Sequence, residues 1–499
     1  MKKRVRRHKE TPNSVKKTTR SCKTFCSRSI IAKLVGAMFS TIHVNMVDSV
    51  RLQLGCCITS MQQDDAKVGP PRCFIHGVNR MSSSLIDGIA AALFAAALLH
   101  TLAAKPLAGL SRRYPAHSGL FHLLGEVEVV FGFWAMVLIA VLALSKGSDA
   151  ALAYAESRQY TEHLFVFVTM VIAASKPIVY AVTALVESLA RCIPVQKSLA
   201  TAWLGLAAVP LLGSLITEPA AMTIAAITLA PQLFRKDIPE RLKYLAMGVL
   251  FVNVSIGGTL TSFAAPPVLM VAATWGWDSG FMLMTFGWKA ALAVTLNATI
   301  AVIALRRYVT PTHEKLAARS DKQIPKALIL IHLCFLMGVV FFAHRPVAFL
   351  GLFLMFLGVV QAYARFQNPL ILKEALFVAF FLAGLVVLGG MQQWWLQPLL
   401  SGVSPKALFF SAVGLTAIAD NAALTYLGSL MTGMSDEAKY HLVAGAVAGG
   451  GLSIIANAPN PAGVALLREG FRDHSVRVGP LFLGALLPTA IAMAGFLFL

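Results

Sequence analysis

Long apolar runs constrain this sequence more than any other feature. Between Ser84 and Leu499, apolar stretches recur with the roughly 18 to 25 residues that an α-helix needs to cross about 30 Å of hydrocarbon. They recur too often for a signal peptide or a single membrane anchor. Because only 13% of the residues are charged and the mean hydropathy is +0.70, we expect an all-α polytopic membrane protein.

Most of the apolar runs fit complete membrane crossings. They lie near residues 85–105, 119–145, 162–187, 242–275, 285–305, 326–343, 346–363, 374–392, 441–467 and 479–499. Two further stretches, hairpin 1 (199–233) and hairpin 2 (405–434), are broken near the middle by Thr217–Pro219 and Ala419–Asn421. Since each half is too short to span, we predict that both are re-entrant hairpins.

The net charge of +20 could suggest nucleic-acid binding, but its distribution argues against that class. Residues 1–80 hold 16 Lys or Arg against four Asp or Glu, and most of the remaining excess lies in short loops between apolar runs. If Met81 starts outside, nearly every later loop obeys the positive-inside rule, with Glu162 and Asp278 among the outside acids. We therefore expect a multi-pass protein of a bacterial inner membrane, with the lipid bilayer and small inorganic ions as partners and no nucleic acid.

Residues 1–80 break the same rule, because a basic segment would lie outside. Either an extra crossing at 30–47 brings the terminus inside, or the segment is not part of the native product. Its composition, five of the seven cysteines and the start context Met81–Ser84 favour the second alternative. We expect a disordered or non-native extension. The cysteine spacing indicates no disulfide framework and no zinc site.

An internal repeat organises the rest of the chain. Three motifs recur in the same order: Glu162–Phe167 matches Glu374–Ala379, Leu215–Met222 matches Ala417–Leu424, and Gly257–Pro267 matches Gly449–Pro459. The sequence thus predicts a first repeat (81–310), a cytoplasmic linker (311–325) and a second repeat (326–499). Each repeat has five transmembrane helices, a hairpin and a broken helix, namely broken helix 1 (242–275) and broken helix 2 (441–467). Because five crossings is an odd number, the second copy is inverted, and inverted repeats place ion sites near the midplane.

Two carboxylates occupy equivalent positions at the predicted hairpin tips. Glu218 lies in hairpin 1 and Asp420 in hairpin 2. A carboxylate in a membrane segment costs several kcal/mol unless it is paired, hydrated or neutralised, which marks both as functional candidates. Such a group can exchange a proton for a metal ion near neutral pH. The alternative is that each acid caps a helix at the water interface, beside Thr217 or Asn421.

The glycine-rich motifs predict unwound backbone in both broken helices. Glycine opens the backbone without steric penalty, and freed carbonyls with neighbouring hydroxyls and amides are the oxygen ligands that Na+ prefers. The predicted break positions are Gly257, Gly258, Gly449, Gly450 and Gly451. The predicted ion- and proton-binding residues are Glu218, Asp420, Asn421, Thr217, Asn253, Thr259, Thr261, Ser262, Ser453 and Asn457, with the two acids as Na+ ligands. Any single glycine could instead serve helix packing.

At these motifs the chain resembles the ion transporter superfamily, and most closely its Na+/H+ antiporter branch, which includes NhaD-like proteins. The resemblance rests on Ile216–Ala221, Gly257–Thr261, Ala419–Ala423 and Gly449–Ser453, and extends over residues 85–499. It implies inverted repeats, a homodimer of scaffold and transport domains, and elevator-like movement. The chain departs from the dicarboxylate branch of that superfamily, whose hairpin tips resemble Ser-Asn-Thr.

The acidic tips favour a cation as the transported species. An anion would be repelled if Glu218 and Asp420 were both ionised, so we expect a secondary transporter that exchanges Na+ for H+ and needs no cofactor. A Na+-coupled anion symporter and an arsenite-type exporter remain alternatives. The sequence contains no metalloprotease or hydrolase motif, and we do not expect an enzyme.

Overall fold

The computed structural model describes residues 83–309 and 324–499, and every regular element in these two stretches is helical. This confirms the all-α prediction for the described part of the chain. The predicted extension (1–80) and most of the predicted linker (311–325) lie outside the described residues. The chain divides into two compact units, 1–91 and 92–499. The structure describes residues 83–91 of the first unit, which begin the first helix. The other described elements belong to the second unit.

The described chain begins with six helices. They are α1 (Ser83–Arg113), α2 (Ser118–Leu124), α3 (Val127–Lys146), α4 (Ser148–Glu156), α5 (Thr161–Ala173) and α6 (Lys176–Cys192). The crossing predicted at 162–187 is not one straight helix, because α5 and α6 meet at an angle of 66°. Pro177 in the first turn of α6 has no N–H to continue the hydrogen bonds of α5. The chain therefore bends at Ala174–Ser175.

Hairpin 1 consists of α7 (Lys197–Leu206), α8 (Ala208–Ile216) and α9 (Glu218–Leu233). The chain reverses at Thr217, whose φ of 77° lies in the region that L-residues rarely adopt. On either side of this turn the helices run antiparallel, since a Cβ at Gly213 would lie 3.1 Å from the Ala221 Cβ and one at Gly205 would lie 2.9 Å from Leu229. The turn places Glu218 at the first position of α9.

Broken helix 1 is interrupted after its glycine pair. Helix α10 (Glu240–Gly257) ends in the 3-10 turn Gly258–Leu260, residues 261–265 are not helical, and α11 (Pro266–Trp275) follows. Pro266 and Pro267 begin α11 at positions where an N–H has no partner within the helix. The short α12 (Ser279–Met282), a π-helical turn at Leu283–Gly287 and α13 (Trp288–Leu305) complete this half.

The described chain resumes at residue 324 and continues with nine helices to its end. These helices are α14 (Lys326–Phe341), α15 (Pro346–Ala362), α16 (Leu372–Gly389), α17 (Gln393–Leu400), α18 (Pro405–Thr416), α19 (Asn421–Ser429), α20 (Asp436–Gly449), α21 (Asn460–Leu467) and α22 (Val478–Phe498). Helices α18 and α19 form hairpin 2, while α20 and α21 form broken helix 2. The interruption in broken helix 2 covers residues 450–459.

Six described helices are long and apolar enough to cross a membrane, and the number rises to eight if the bent pairs α5–α6 and α7–α8 each count as one span. The ten predicted crossings exceed that number, partly because α14 and α15 have only 16 and 17 residues. These spans make the chain a multi-pass membrane protein.

The interrupted elements pack across the two halves of the chain. Helix α11 of broken helix 1 packs against α19 of hairpin 2, and α21 of broken helix 2 packs against α9 of hairpin 1. Within each half, the first part of the broken helix packs against the hairpin that precedes it, α10 against α8 and α20 against α18. The two hairpins and the two broken helices therefore form one packed cluster.

Helices α10 and α22 pack so closely that their backbones are in contact at two glycines. A Cβ at Gly248 would lie 2.6 Å from the backbone nitrogen of Ala485, and a Cβ at Gly484 would meet the carbonyl oxygen of Tyr244. Small residues permit this approach, which is a common way to pack membrane helices. Broken helix 1 is thus held directly against the last helix of the chain.

We expect Gly484→Ala to destabilise the protein by about 1 to 3 kcal/mol, because the new methyl group would push α22 away from α10. The temperature of unfolding of the purified protein in detergent measures this loss. Gly351→Ala is the matched control, since nothing surrounds a Cβ at that position of α15, and it should be neutral or slightly stabilising. Equal unfolding temperatures for both variants would contradict the close approach.

Candidate functional site

Glu218 lies completely buried at the start of α9, with 0% of its surface exposed. Its Oε2 accepts a hydrogen bond of 2.7 Å from Nδ2 of Asn457, which belongs to the interruption in broken helix 2. Its Oε1 has no hydrogen-bond partner. Gly258 leaves room for this carboxylate, because a Cβ there would lie 2.6 Å from Oε1. Residues from both halves of the chain therefore enclose the Glu218 side chain.

Asp420 is the N-cap of α19. Its Oδ1 accepts hydrogen bonds from the backbone N–H groups of Ala422 and Ala423, at 2.8 and 3.1 Å. The capping role matches the alternative that the sequence offered, yet Asp420 is only 8% exposed and does not lie at an open water interface. The residue after Asp420 donates its backbone N–H to the carbonyl of Ala456, and the next residue, Asn457, donates to Glu218. These contacts join the segments that carry the two predicted acids.

Asn421 links hairpin 2 to both broken helices. Its side-chain Nδ2 lies 3.4 Å from Oγ of Ser255 in α10, and its backbone N–H donates to the carbonyl of Ala456. A Cβ at Gly450 would meet the Ser255 hydroxyl and would lie 3.0 Å from the same Nδ2. Gly450 therefore leaves room for the contact between Asn421 and Ser255.

Ser214 in α8 satisfies the backbone where broken helix 1 is interrupted. Its hydroxyl donates to the carbonyl of Gly257 (2.7 Å) and accepts from the N–H of Leu260 (3.0 Å), and its own carbonyl accepts from the hydroxyl of Thr261 (2.7 Å). The Thr259 hydroxyl donates to the carbonyl of Ile256. Unpaired backbone groups are costly in a membrane interior. Thr259 and Thr261 are accordingly engaged in holding the interruption together.

Asn460 performs the corresponding task in broken helix 2. Its Nδ2 donates to the carbonyls of Gly450 and Ser453, at 2.8 and 2.9 Å. These bonds span the turn that contains Gly449–Ser453 and fix its shape. They leave the Ser453 hydroxyl free of the backbone.

Several predicted ligands present buried side-chain oxygens that have no hydrogen-bond partner. These atoms are Thr217 Oγ1, Glu218 Oε1, Asn421 Oδ1, Ser453 Oγ and Asn457 Oδ1. A buried polar atom without a partner costs about 1 to 3 kcal/mol, so a group of such oxygens is suited to receive a cation. Across the two described ranges, no three His, Cys, Asp or Glu side chains gather as a metal cluster. Ligands for a cation would have to include amides and hydroxyls besides the two acids.

Two residues of the predicted set are engaged elsewhere. Asn253 donates to the carbonyls of Leu206 and Val294 and accepts from Asn297, so it ties α7, α10 and α13 together. Ser262 lies beside Ser279, near the start of α12. The Asn253 amide therefore stabilises the packing of helices, and Ser262 lines a cavity.

Sequence reasoning missed Ser214 and Ser255. The sequence contains one signal for Ser214. The offset of 202 residues that relates the hairpin tips pairs Ser214 with Thr416, so both halves carry a hydroxyl group at this position. Nothing in the sequence marked Ser255, whose hydroxyl donates to the carbonyl of Val447 in the other half of the chain.

A family model described as "Putative Na+/H+ antiporter" matches residues 85–499. A crystal structure of the YdaH transporter of Alcanivorax borkumensis aligns with a TM-score of 0.38 and 15% identity, over 74% of this chain and 96% of that chain. A comparison with curated proteins finds no match. Since the family model covers most of the sequence, the chain belongs to this Na+/H+ antiporter family.

Proposed function

We propose that this protein is a secondary active transporter of a bacterial inner membrane that exchanges Na+ for protons by alternating access. The observation that carries the proposal is the pair of buried acids, Glu218 and Asp420, in segments that are joined through the hydrogen bonds of Asn421 and Asn457. Two carboxylates that share a poorly solvated site do not both stay ionised without a positive charge between them. A proton or a cation can supply that charge.

Competition for the same oxygens would give the exchange. When Na+ binds, the carboxylates of Glu218 and Asp420 face it together with amide oxygens from Asn421 and Asn457. When protons bind, they neutralise the carboxylates, and the site then binds Na+ more weakly. The two ions therefore exclude each other from one site, which is the requirement for antiport.

Reciprocal contacts support the inverted repeat within this proposal. Gly258 packs against Glu218 at the tip of hairpin 1, and Gly450 packs against Ser255 and against Asn421 at the tip of hairpin 2. Gly257 and Gly449, one residue earlier in each motif, pack against the carbonyls of Pro210 and Val413 in α8 and α18. Similar contacts thus occur in both halves, shifted by one residue from the offset of 202 that relates the hairpin tips. We propose on this basis that both hairpins are re-entrant and that the chain resembles NhaD-like members of the ion transporter superfamily.

A homodimer with elevator-like movement belongs to the same proposal. Hairpins and broken helices share one packed cluster, which suits a unit that moves as a whole. The remaining helices would then provide the scaffold and the contact between two copies.

Removal of either acid is expected to abolish exchange. Glu218→Gln and Asp420→Asn remove the charge, and Asn is as good an N-cap as Asp, so α19 should stay intact. In inverted membrane vesicles, the collapse of a pH gradient on addition of Na+ should fall to the level of vesicles that lack the protein. Unfolding temperatures should stay near that of the wild type.

The matched controls are Asp436→Asn and Glu437→Gln at the start of α20, where Asp436 is 95% exposed and Glu437 is exposed. Both should exchange Na+ at the wild-type rate. Wild-type exchange by Glu218→Gln or Asp420→Asn would contradict the proposal. Na+-stimulated uptake of a labelled anion that persists in Glu218→Gln would identify a symporter instead.

Gly258→Ala is expected to reduce exchange without removing any charge, because its Cβ would displace the Glu218 carboxylate. A displacement of about 1 Å at a site of this kind can lower rates by up to about 100-fold, and we expect at least a tenfold loss of kcat/KM for Na+. Gly414→Ala, at an open position of α18, should behave like the wild type. An active Gly258→Ala variant would show that the position of this carboxylate is unimportant.

A further inference from the structure

A cavity of about 430 Å³ reaches the interruption in broken helix 1. Ser262 and Phe263, just after the interruption begins, form part of its wall. The rest of the wall comes from three chain segments: the start of α5 with Glu162, the stretch from α11 to the start of α12 with Asp278, and the stretch that joins α14 to α15 with His344. The positive-inside rule assigns all three of these segments to the outer face.

The charge on this wall favours cations. The acidic lining residues are Glu162 and Asp278. His344 is the one lining residue that can carry a positive charge, because no Lys or Arg lines this cavity. The Oδ1 of Asp278 accepts from the N–H of Phe281, which fixes that carboxylate at the start of α12. A cleft with charges of one sign and apolar walls concentrates counter-ions.

A second cavity, of about 260 Å³, adjoins the first and shares Glu162, Leu269 and Ala273 with it. It continues to Tyr426 and Ser429 of α19, the helix that Asp420 caps. Arg158 is the one Lys or Arg residue among its lining residues, and this side chain lies over the ring of Tyr154 at 4.7 Å and donates to Ser157.

His163 gives independent support for polar contents in the second cavity. The side chain lines this cavity and is only 3% exposed, and neither ring nitrogen has a hydrogen-bond partner. The carbonyls of Tyr160 and Leu382 approach the ring but do not meet hydrogen-bond geometry. Buried ring nitrogens are normally satisfied by water or a polar group. A hydrated ion passing through this cavity would supply such a partner.

We propose that the two cavities form an outer vestibule through which a hydrated monovalent cation reaches the ion site, and that Glu162 on the shared wall attracts it. This inference rests on the proposed function, because it names the access route to the site of Glu218 and Asp420. Glu162 acts here as a positioning residue that raises the local cation concentration. It is not a ligand in the transport site.

Thiol labelling tests the vestibule without requiring transport. The seven native cysteines are replaced by Ser, and Ala273→Cys introduces a probe on the shared wall. Ser401→Cys is the exposed control away from both cavities. Membrane-impermeant methanethiosulfonates that carry a trimethylammonium or a sulfonate group are added to intact cells and, separately, to inverted vesicles.

We expect the ratio of cationic to anionic labelling rates at Ala273→Cys to exceed that at Ser401→Cys by about tenfold, within the range known for electrostatic focusing. Adding Glu162→Gln should bring the ratio close to that of the control. Equal ratios at both positions, no effect of Glu162→Gln, or labelling of Ala273→Cys from the cytoplasmic side alone would overturn the proposal.

Transport kinetics provide a second readout. In right-side-out vesicles, Glu162→Gln should raise the apparent KM for external Na+ about three- to tenfold and leave the maximal rate unchanged. Glu156→Gln, an exposed acid in α4, should change neither. A lower maximal rate at an unchanged KM would indicate a structural role and overturn the assignment of Glu162. If the wild type exchanges no Na+ while the labelling ratio holds, the proposed function fails and the vestibule stands.

Discussion

Backbone groups freed inside a membrane must find new partners, and the arrangement of this protein depends on how that requirement is met. Helices α10 and α20 end several residues before α11 and α21 begin, so backbone groups between them lack partners within a helix. In the first half, Ser214 of α8 takes up three polar groups of the interruption. In the second half, Asn460 takes up two carbonyls. These bonds fix the shape of both interruptions and so fix the positions of the polar side chains beside them.

The bonds between the two halves have a mechanical consequence. Asn457 donates to Glu218 across 239 residues of sequence, and Asn421 reaches Ser255 across 166. Each hairpin is thereby attached to the broken helix of the other half. A displacement of one hairpin would strain these bonds unless the other elements followed. The cluster is therefore better suited to move as one body than to open by the separate motion of one hairpin.

The sequence predicted local features well and long-range partners poorly. The predicted break positions Gly257 and Gly449 are the last residues of α10 and α20, so the glycine and proline motifs lie beside the interruptions. The partner of Glu218 was not predictable, since Asn457 is one of several polar residues in its segment and periodicity carries no information on contacts across the chain. Asn253 was predicted as a ligand because it precedes the glycines, yet its amide is fully engaged with backbone carbonyls and Asn297.

The residues that the sequence motifs pair across the two halves differ in their hydrogen bonds. Asp420 caps its helix through two N–H groups, whereas Glu218 makes no capping bond and instead binds Asn457. Ser214 holds one interruption together, while its counterpart Thr416 is buried with an unpartnered hydroxyl. Both acids are buried, yet Glu218 binds an amide from the other half of the chain while Asp420 binds two N–H groups of its own helix. In the proposed exchange the two acids are therefore not equivalent.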